Sequence, residues 1–292
     1  MARRTAGGAR GMRVLPWVML IPMLAMLVFV FIVPMVVFIR YGFAVPSSSV
    51  LEPTHGFTFD NFVGFFTTPY LVAAVWQTIW MSALVTALAL LIGYLLAFAM
   101  WRARSSAVKL GLAIAVFLPL LTSSVVRAYG WEIMLSDSGP VNSVLKAIGL
   151  TSHTLHLLYS WPGVVIAMVH MFLPFTVFPL YNAFEAIEPS VTEAAADLGA
   201  TGTRRFLRVI LPMTGAGLIA AAELCFTLAL GSYVVPALLG GGRVQFLSVS
   251  IFNDTSAVNW PLAAVESIIL LLLAFVVVVG LRMIGRSRTV TS

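Results

Sequence analysis

Ile268–Gly280 reads IILLLLAFVVVVG, a run with no charge and no alternation of apolar and polar positions. A strand of a membrane barrel would alternate with period two over about ten residues. An unbroken apolar run instead suits a helix, which satisfies its own backbone groups inside lipid. Outward from this run the apolar stretch extends over Leu262–Ile284. Five further stretches are long enough for the roughly 20 residues a spanning helix needs: Leu15–Ile39, Val75–Met100, Val108–Val126, Gly163–Phe184 and Met213–Leu239. Of the 292 residues, 60% are hydrophobic and 10% charged, and the mean hydropathy is +1.01, values remote from those of a soluble domain. The sequence therefore predicts an all-α integral membrane protein with six spans. No Pro/Gly/Ser-rich linker sets off a soluble part, so residues 1–292 read as a single transmembrane domain.

Arg3, Arg4, Arg10 and Arg13 precede the first stretch as they would in a signal peptide. That stretch is too long for one and no small-residue cleavage site follows it, so it reads as a retained first span. The other basic clusters are Arg102, Arg104 and Lys109 between spans two and three, Arg204, Arg205 and Arg208 before span five, and Arg282, Arg286 and Arg288 after span six. Six spans put all four clusters on one side, which the bias of lysine and arginine identifies as the cytoplasm. Both termini are predicted cytoplasmic. The net charge of +6 is then a topological signal rather than a nucleic-acid footprint. Cys225, the lone cysteine, excludes an intrachain disulfide.

One polar segment interrupts this pattern between spans four and five, Glu188–Pro212, reading EPSVTEAAADLGATGTRRFLRVILP. Ser190 and Glu193 have the spacing of a capping box at a helix start, and the alanines after Glu193 are strong helix formers. Gly199 is placed to end that helix in the left-handed conformation. A second helix through Arg204, Arg205 and Arg208 leads by Leu211-Pro212 into span five. The prediction is a helix–turn–helix elbow on the cytoplasmic face, either a plain capped loop or a docking surface.

The spacing Glu193-Ala194-Ala195, three residues, Gly199, nine residues, Val209, one residue, Leu211-Pro212 resembles the EAA motif of the permease subunits of bacterial ATP-binding-cassette importers. Val209 stands where that pattern has isoleucine. Further segments are similar to the spermidine/putrescine branch of the family: Phe57–Phe62 before span two, Arg127–Trp131 after span three and Gly231–Gly241 after span five. Gln77-Thr78-Ile79 departs from the Asn-Thr-Leu of many relatives. The resemblance implies a type I importer permease of the bacterial inner membrane in which Glu193, Ala194, Ala195, Gly199, Leu211 and Pro212 couple the chain to ATP-binding subunits. It implies as partners two such subunits, which bind ATP and magnesium, a second homologous permease, an external solute-binding protein and membrane lipid. No cofactor is implied for this chain itself.

Ionisable groups within spans are costly and mark candidate sites. Glu223 in span five and Glu266 near the outer end of span six are either counter-charges along a solute path or interhelical partners; a cationic cargo such as a polyamine would suit them. Arg127 at the outer end of span three would instead greet an anionic solute. His170 reads as a hydrogen-bonded packing residue, and His153 with His156 lacks neighbouring ligands in sequence for a zinc site. Pro22, Pro34, Pro119, Pro174, Pro179, Pro212 and Pro236 fall in or beside spans, where they are expected to kink helices. The aromatic loop Gly42–Tyr70 suits an interfacial anchor, and Gly139-Pro140 with Gly149 brackets a short surface helix.

Enzymatic readings find no support: the chain has no G-x4-G-K-[ST] phosphate loop and no G-x-S-x-G elbow, and its two S-x-x-K matches, Ser106–Lys109 and Ser143–Lys146, lack companion motifs. The function expected is a non-catalytic importer permease for a polyamine or similar cation. The alternatives are an ion-coupled carrier using Glu223 and Glu266, or a permease of the same fold for another solute such as an aminophosphonate or amino-acid derivative.

Overall fold

A computed structural model describes residues 20–45 and 56–289, with side chains described as far as Met283. The four N-terminal arginines and residues 15–19 of the expected first span lie outside the described residues, as do the side chains of Arg286 and Arg288. Helix is the regular structure of the described residues, which contain no strand. Four helices are long and apolar enough to cross a membrane: α1 Leu20–Gly42, α3 Pro69–Arg102, α7 Trp161–Glu185 and α13, whose apolar part is Trp260–Met283. Two bent pairs bring the number to six, Ser106–Leu121 with Ser124–Ala147 and Gly202–Met213 with Gly215–Leu230. Between and beside them lie α2 Asp60–Thr67, α4 Ser106–Phe117, α5 Ser124–Leu135, α6 Pro140–Ala147, α8 Pro189–Asp197, α9 Gly202–Met213, α10 Gly215–Leu230, α11 Val234–Leu239 and α12 Leu247–Ser256.

The core is the bundle of α3, α7 and α10, with α13 packed on α10, α1 and α12. α7 is its axis: 67% of its apolar window is interior, against none for α1. Lipid is as apolar as leucine, so helices in a membrane associate through close backbone approach rather than apolar transfer. Two glycines supply it here. A Cβ on Gly93 of α3 would collide with Thr176 Oγ1 of α7, and one on Gly217 of α10 with Ala183 Cβ and the Pro179 carbonyl oxygen of α7. Thr176 Oγ1 donates across that contact to the Ala89 carbonyl at 3.1 Å.

Spans three and five are broken where the sequence reading has them continuous. The expected Val108–Val126 span stops at Leu121 in a tight turn, Leu118–Leu121, and the chain bends by 107° into α5. Pro119 lacks a donor, and Ser123 begins the next helix by accepting from the Val125 amide at 3.3 Å. The expected Met213–Leu239 span is three pieces: α9 meets α10 at 60°, α10 ends at Gly231, and α11 is separate. Prolines act differently from simple kinks at two further places. Wide π-turns at Val28–Ile32 and Phe206–Ile210 end with Val33 donating to the Val28 carbonyl and Leu211 to the Phe206 carbonyl, each one residue before a proline, Pro34 and Pro212. The extra residue relieves the clash of the proline ring with the carbonyl four positions back.

At the end of the bundle where α10 finishes, α12 is tied to α3: the Leu247 amide donates to Thr78 Oγ1 at 2.9 Å and the Gln245 amide to Gln77 Oε1 at 2.8 Å. The Gln77-Thr78 pair is therefore a bracket for the neighbouring helix start. Residues 46–55 of the expected aromatic loop lie outside the described residues; at its described ends Phe43 stacks on Phe57 at 5.1 Å and lies edge-on to Phe59 at 5.5 Å. The short helix α6 forms as the sequence predicts, with Gly149 at φ +73°.

Candidate coupling loop and solute-path residues

The polar segment forms an elbow of α8 and α9. α8 buries none of its residues, and Glu193 is exposed. The expected capping box is not formed. Pro189 takes the first helical position, so Ser190 lies inside the helix and Glu188 is the cap residue, with no side-chain cap bond; the Ser190 hydroxyl donates instead to Glu188 Oε2 at 3.3 Å. The C-terminal end follows the sequence reading: Gly199 has φ +79°, its amide donates to Ala196 at 2.9 Å and the Ala200 amide to Ala195 at 3.0 Å. These two bonds are the Schellman arrangement, which needs a residue able to take positive φ. The turn leaves Leu198 89% exposed, on a polar elbow where lipid tails are no explanation.

What fixes the elbow to the bundle is aromatic. Phe206 packs edge-on to Tyr94 at 5.9 Å and Phe98 at 5.4 Å, while Phe184 at the end of α7 stacks on Trp101 at 5.6 Å. Ile210 is buried in the same cluster, and the buried Tyr94 hydroxyl lies 3.0 Å from Thr214 Oγ1 at the bend. Leu211 joins this cluster and Pro212 sits at its exposed edge. Sequence reasoning passed over Tyr94, Phe98 and Trp101; their i, i+4, i+7 spacing on one helix face was the available signal.

The three candidate path residues do not converge. Glu223 is mid-way along α10 with its side chain 16% exposed, and Arg282 Nε of α13 donates to both of its oxygens, at 3.3 and 3.2 Å. Glu266 is buried where α13 begins, and Ser250 Oγ of α12 donates to its Oε1 at 2.6 Å. Arg127 lies in α5, with Nε and Nη1 buried and without a hydrogen-bond partner among the described residues. Nearby, Trp131 Nε1 donates to His170 Nδ1 at 3.1 Å, the packing bond expected of that histidine. His156 does have a carboxylate neighbour, Asp137 at 3.0 Å, brought from a distant position in sequence. No group of three metal-ligating side chains occurs among the described residues.

The Glu223–Arg282 pair makes a specific forecast. Glu223→Arg sets two guanidiniums side by side in a half-buried place and should lower the melting temperature. The double variant Glu223→Arg/Arg282→Glu should recover most of the loss, with a coupling energy of about 1 kcal/mol after discounting for the exposed guanidinium. A thermal-melt double-mutant cycle checks it.

A six-span bundle with a capped polar elbow on one side is the architecture that the resemblance predicts, and comparison with known proteins decides the family. The sequence profile described as binding-protein-dependent transport system inner membrane component matches residues 89–290. The chain belongs to that family. The permease is 37% identical to the spermidine/putrescine transport system permease protein PotB of Haemophilus influenzae over 72% of its own length and 73% of that protein's. It is 32% identical to the PotB of Escherichia coli over 73% and 78%. A solved structure, the bacterial alginate ABC transporter in complex with an alginate pentasaccharide-bound periplasmic protein, has the same fold, with a TM-score of 0.74 at 21% identity over 94% of each chain. The permease is a multi-pass transport subunit of the inner membrane.

Proposed function

We propose that this permease is one transmembrane half of an ATP-driven importer for a polyamine, spermidine or putrescine. The observation that carries the reading is the 37% identity to a spermidine/putrescine permease over nearly three quarters of both chains. In this reading both termini and the elbow face the cytoplasm. Two ATP-binding subunits bind ATP and magnesium, and one docks on Glu193–Gly199 with Leu198 as the apolar contact and Glu193 as a charge-assisted one. Their closure pushes the elbow, and the aromatic cluster of Tyr94, Phe98, Phe184 and Phe206 passes the displacement to α3 and α7. The pathway then alternates between outward-facing and inward-facing states. A second homologous permease completes the channel, and an external binding protein delivers the solute. Glu223 serves as the interhelical partner of Arg282, and Glu266 stands behind the acidic end of the bundle near the route of a cation.

Uptake of labelled spermidine and putrescine by cells that express the permease with its partner subunits, and lack other polyamine uptake, tests the cargo. Accumulation that unlabelled polyamine competes away supports it; uptake no greater than that of cells without the permease contradicts it. An anionic cargo is the second reading, favoured by the buried Nε and Nη1 of Arg127, which have no hydrogen-bond partner among the described residues.

A further inference from the structure

At the end of the bundle opposite the elbow, a cavity of about 540 Å³ opens between α2, the start of α3, α12 and the start of α13. Asp60, Asn61, Tyr70, Ser250, Asp254 and Asn259 supply its polar wall, the rest is mainly apolar, and no lysine or arginine lines it. The two aspartates come from different elements. Asp254 is half-buried, and Asn259 Nδ2 donates to its Oδ1 at 3.2 Å; burial raises its carboxyl above the usual range, a rise that the Asn259 bond only partly offsets. Asn61 is held rigidly, its Nδ2 donating to the Gly42 and Ala44 carbonyls at 3.0 and 2.8 Å.

A third acid stands directly behind this wall. Glu266 is fully buried, its Oε1 takes the Ser250 hydroxyl, and its carboxyl group is a close neighbour of Asp254, so it backs two lining residues without itself lining the cavity. Its Oε2 has no hydrogen-bond partner among the described residues. Burial disfavours a negative charge on Glu266, so the carboxylates open to a cation in the cavity are those of Asp60 and Asp254. The three acids are not gathered as metal ligands, and the cavity is far larger than one ion requires. Separated carboxylates, amide oxygens and an aromatic face on a partly apolar wall match a chain of methylenes with ammonium groups spaced along it.

We propose that this cavity is a binding site for a linear organic amine carrying two or more ammonium groups, seated between Asp60 and Asp254. The choice of amine rests on the cargo reading above; the site itself rests on the acids and the cavity. It lies off the elbow, where the permease would first meet solute arriving from outside.

The test is calorimetric titration of the purified full-length permease in lipid nanodiscs with putrescine and spermidine. Asp60→Asn and Asp254→Asn should each weaken binding by about tenfold, the loss of one charge-assisted contact. Asp137→Asn, a loop carboxylate away from the cavity, should leave it unchanged. Asp60 is exposed, so its variant keeps the test open if a change at the half-buried Asp254 prevents folding. Absence of amine binding by the wild type, equal binding by both cavity variants, or displacement by magnesium as effective as by a second amine overturns the proposal. Polyamine uptake with binding unaffected in the cavity variants refutes the site and leaves the cargo. Binding lost in those variants while the importer carries a different solute refutes the cargo and leaves the site.

Discussion

Gly217→Leu should abolish stable folding of the permease or lower its melting temperature by about 5 °C or more, the effect expected of overpacking by 1–3 kcal/mol or beyond. The reason is geometric. A Cβ at 217 meets Ala183 Cβ on one side and, at 3.0 Å, the backbone carbonyl of Pro179 on the other, so the obstruction includes backbone that cannot rotate away. In a membrane the separated helices regain no apolar burial they did not already have in lipid, and the lost close packing is the lost stability. Gly215→Ala, two residues earlier on the same helix, is the internal control. A Cβ there meets nothing within 4 Å, so its stability should stay within about 0.5 kcal/mol of wild type or rise slightly from better helix propensity. Thermal melts of detergent-purified protein, followed by size-exclusion profile, separate the two outcomes.

Glu193→Arg should lower ATP-driven uptake on the order of a hundredfold, the scale of losing a central contact at an interface, while leaving the fold intact. Neither half of that expectation depends on the cargo. α8 buries no side chain, so a charge reversal on its exposed face removes nothing from the bundle. Gly199→Val should reach the same functional end by another route. Position 199 has φ +79°, which a β-branched residue adopts only at a cost of about 1–2 kcal/mol, and the Schellman turn that projects Leu198 would rearrange. Unchanged uptake in both variants, with normal expression and melting, would show that the elbow is an ordinary capped loop.

Much of the fold was legible because lipid imposes a simple grammar. The unbroken run Ile268–Gly280 could only be a helix, and the expected Gly163–Phe184 span lies two residues inside the start of α7 and one inside its end. Gly199 was legible for a similar reason: few residues accept positive φ after a run of helix formers. What the sequence concealed depends on partners distant along the chain. Span three breaks at the Pro119 turn and the polar step Thr122-Ser123-Ser124, an interruption too short to read as a span end because Val125 and Val126 resume the apolar pattern. The capping box failed because Pro189 claimed the first helical position and pulled Ser190 inside the helix. Glu223 as a lone acid in a span gave no hint of Arg282, which meets it from a helix 59 residues onward. Glu266 likewise looked like a path residue near a helix start, while its contacts with Ser250 and Asp254 exist only once α12 folds back onto α13.

In the proposed mechanism, ATP hydrolysed on a partner drives the permease through its elbow. The most direct measurement is solute uptake into proteoliposomes holding the permease pair, with ATP enclosed, with and without the ATP-binding subunits. The account predicts uptake only when both ATP and those subunits are present, and its loss in Glu193→Arg although the subunits still hydrolyse ATP. Uptake that persists without the ATP-binding subunits and follows an imposed proton or sodium gradient would contradict it.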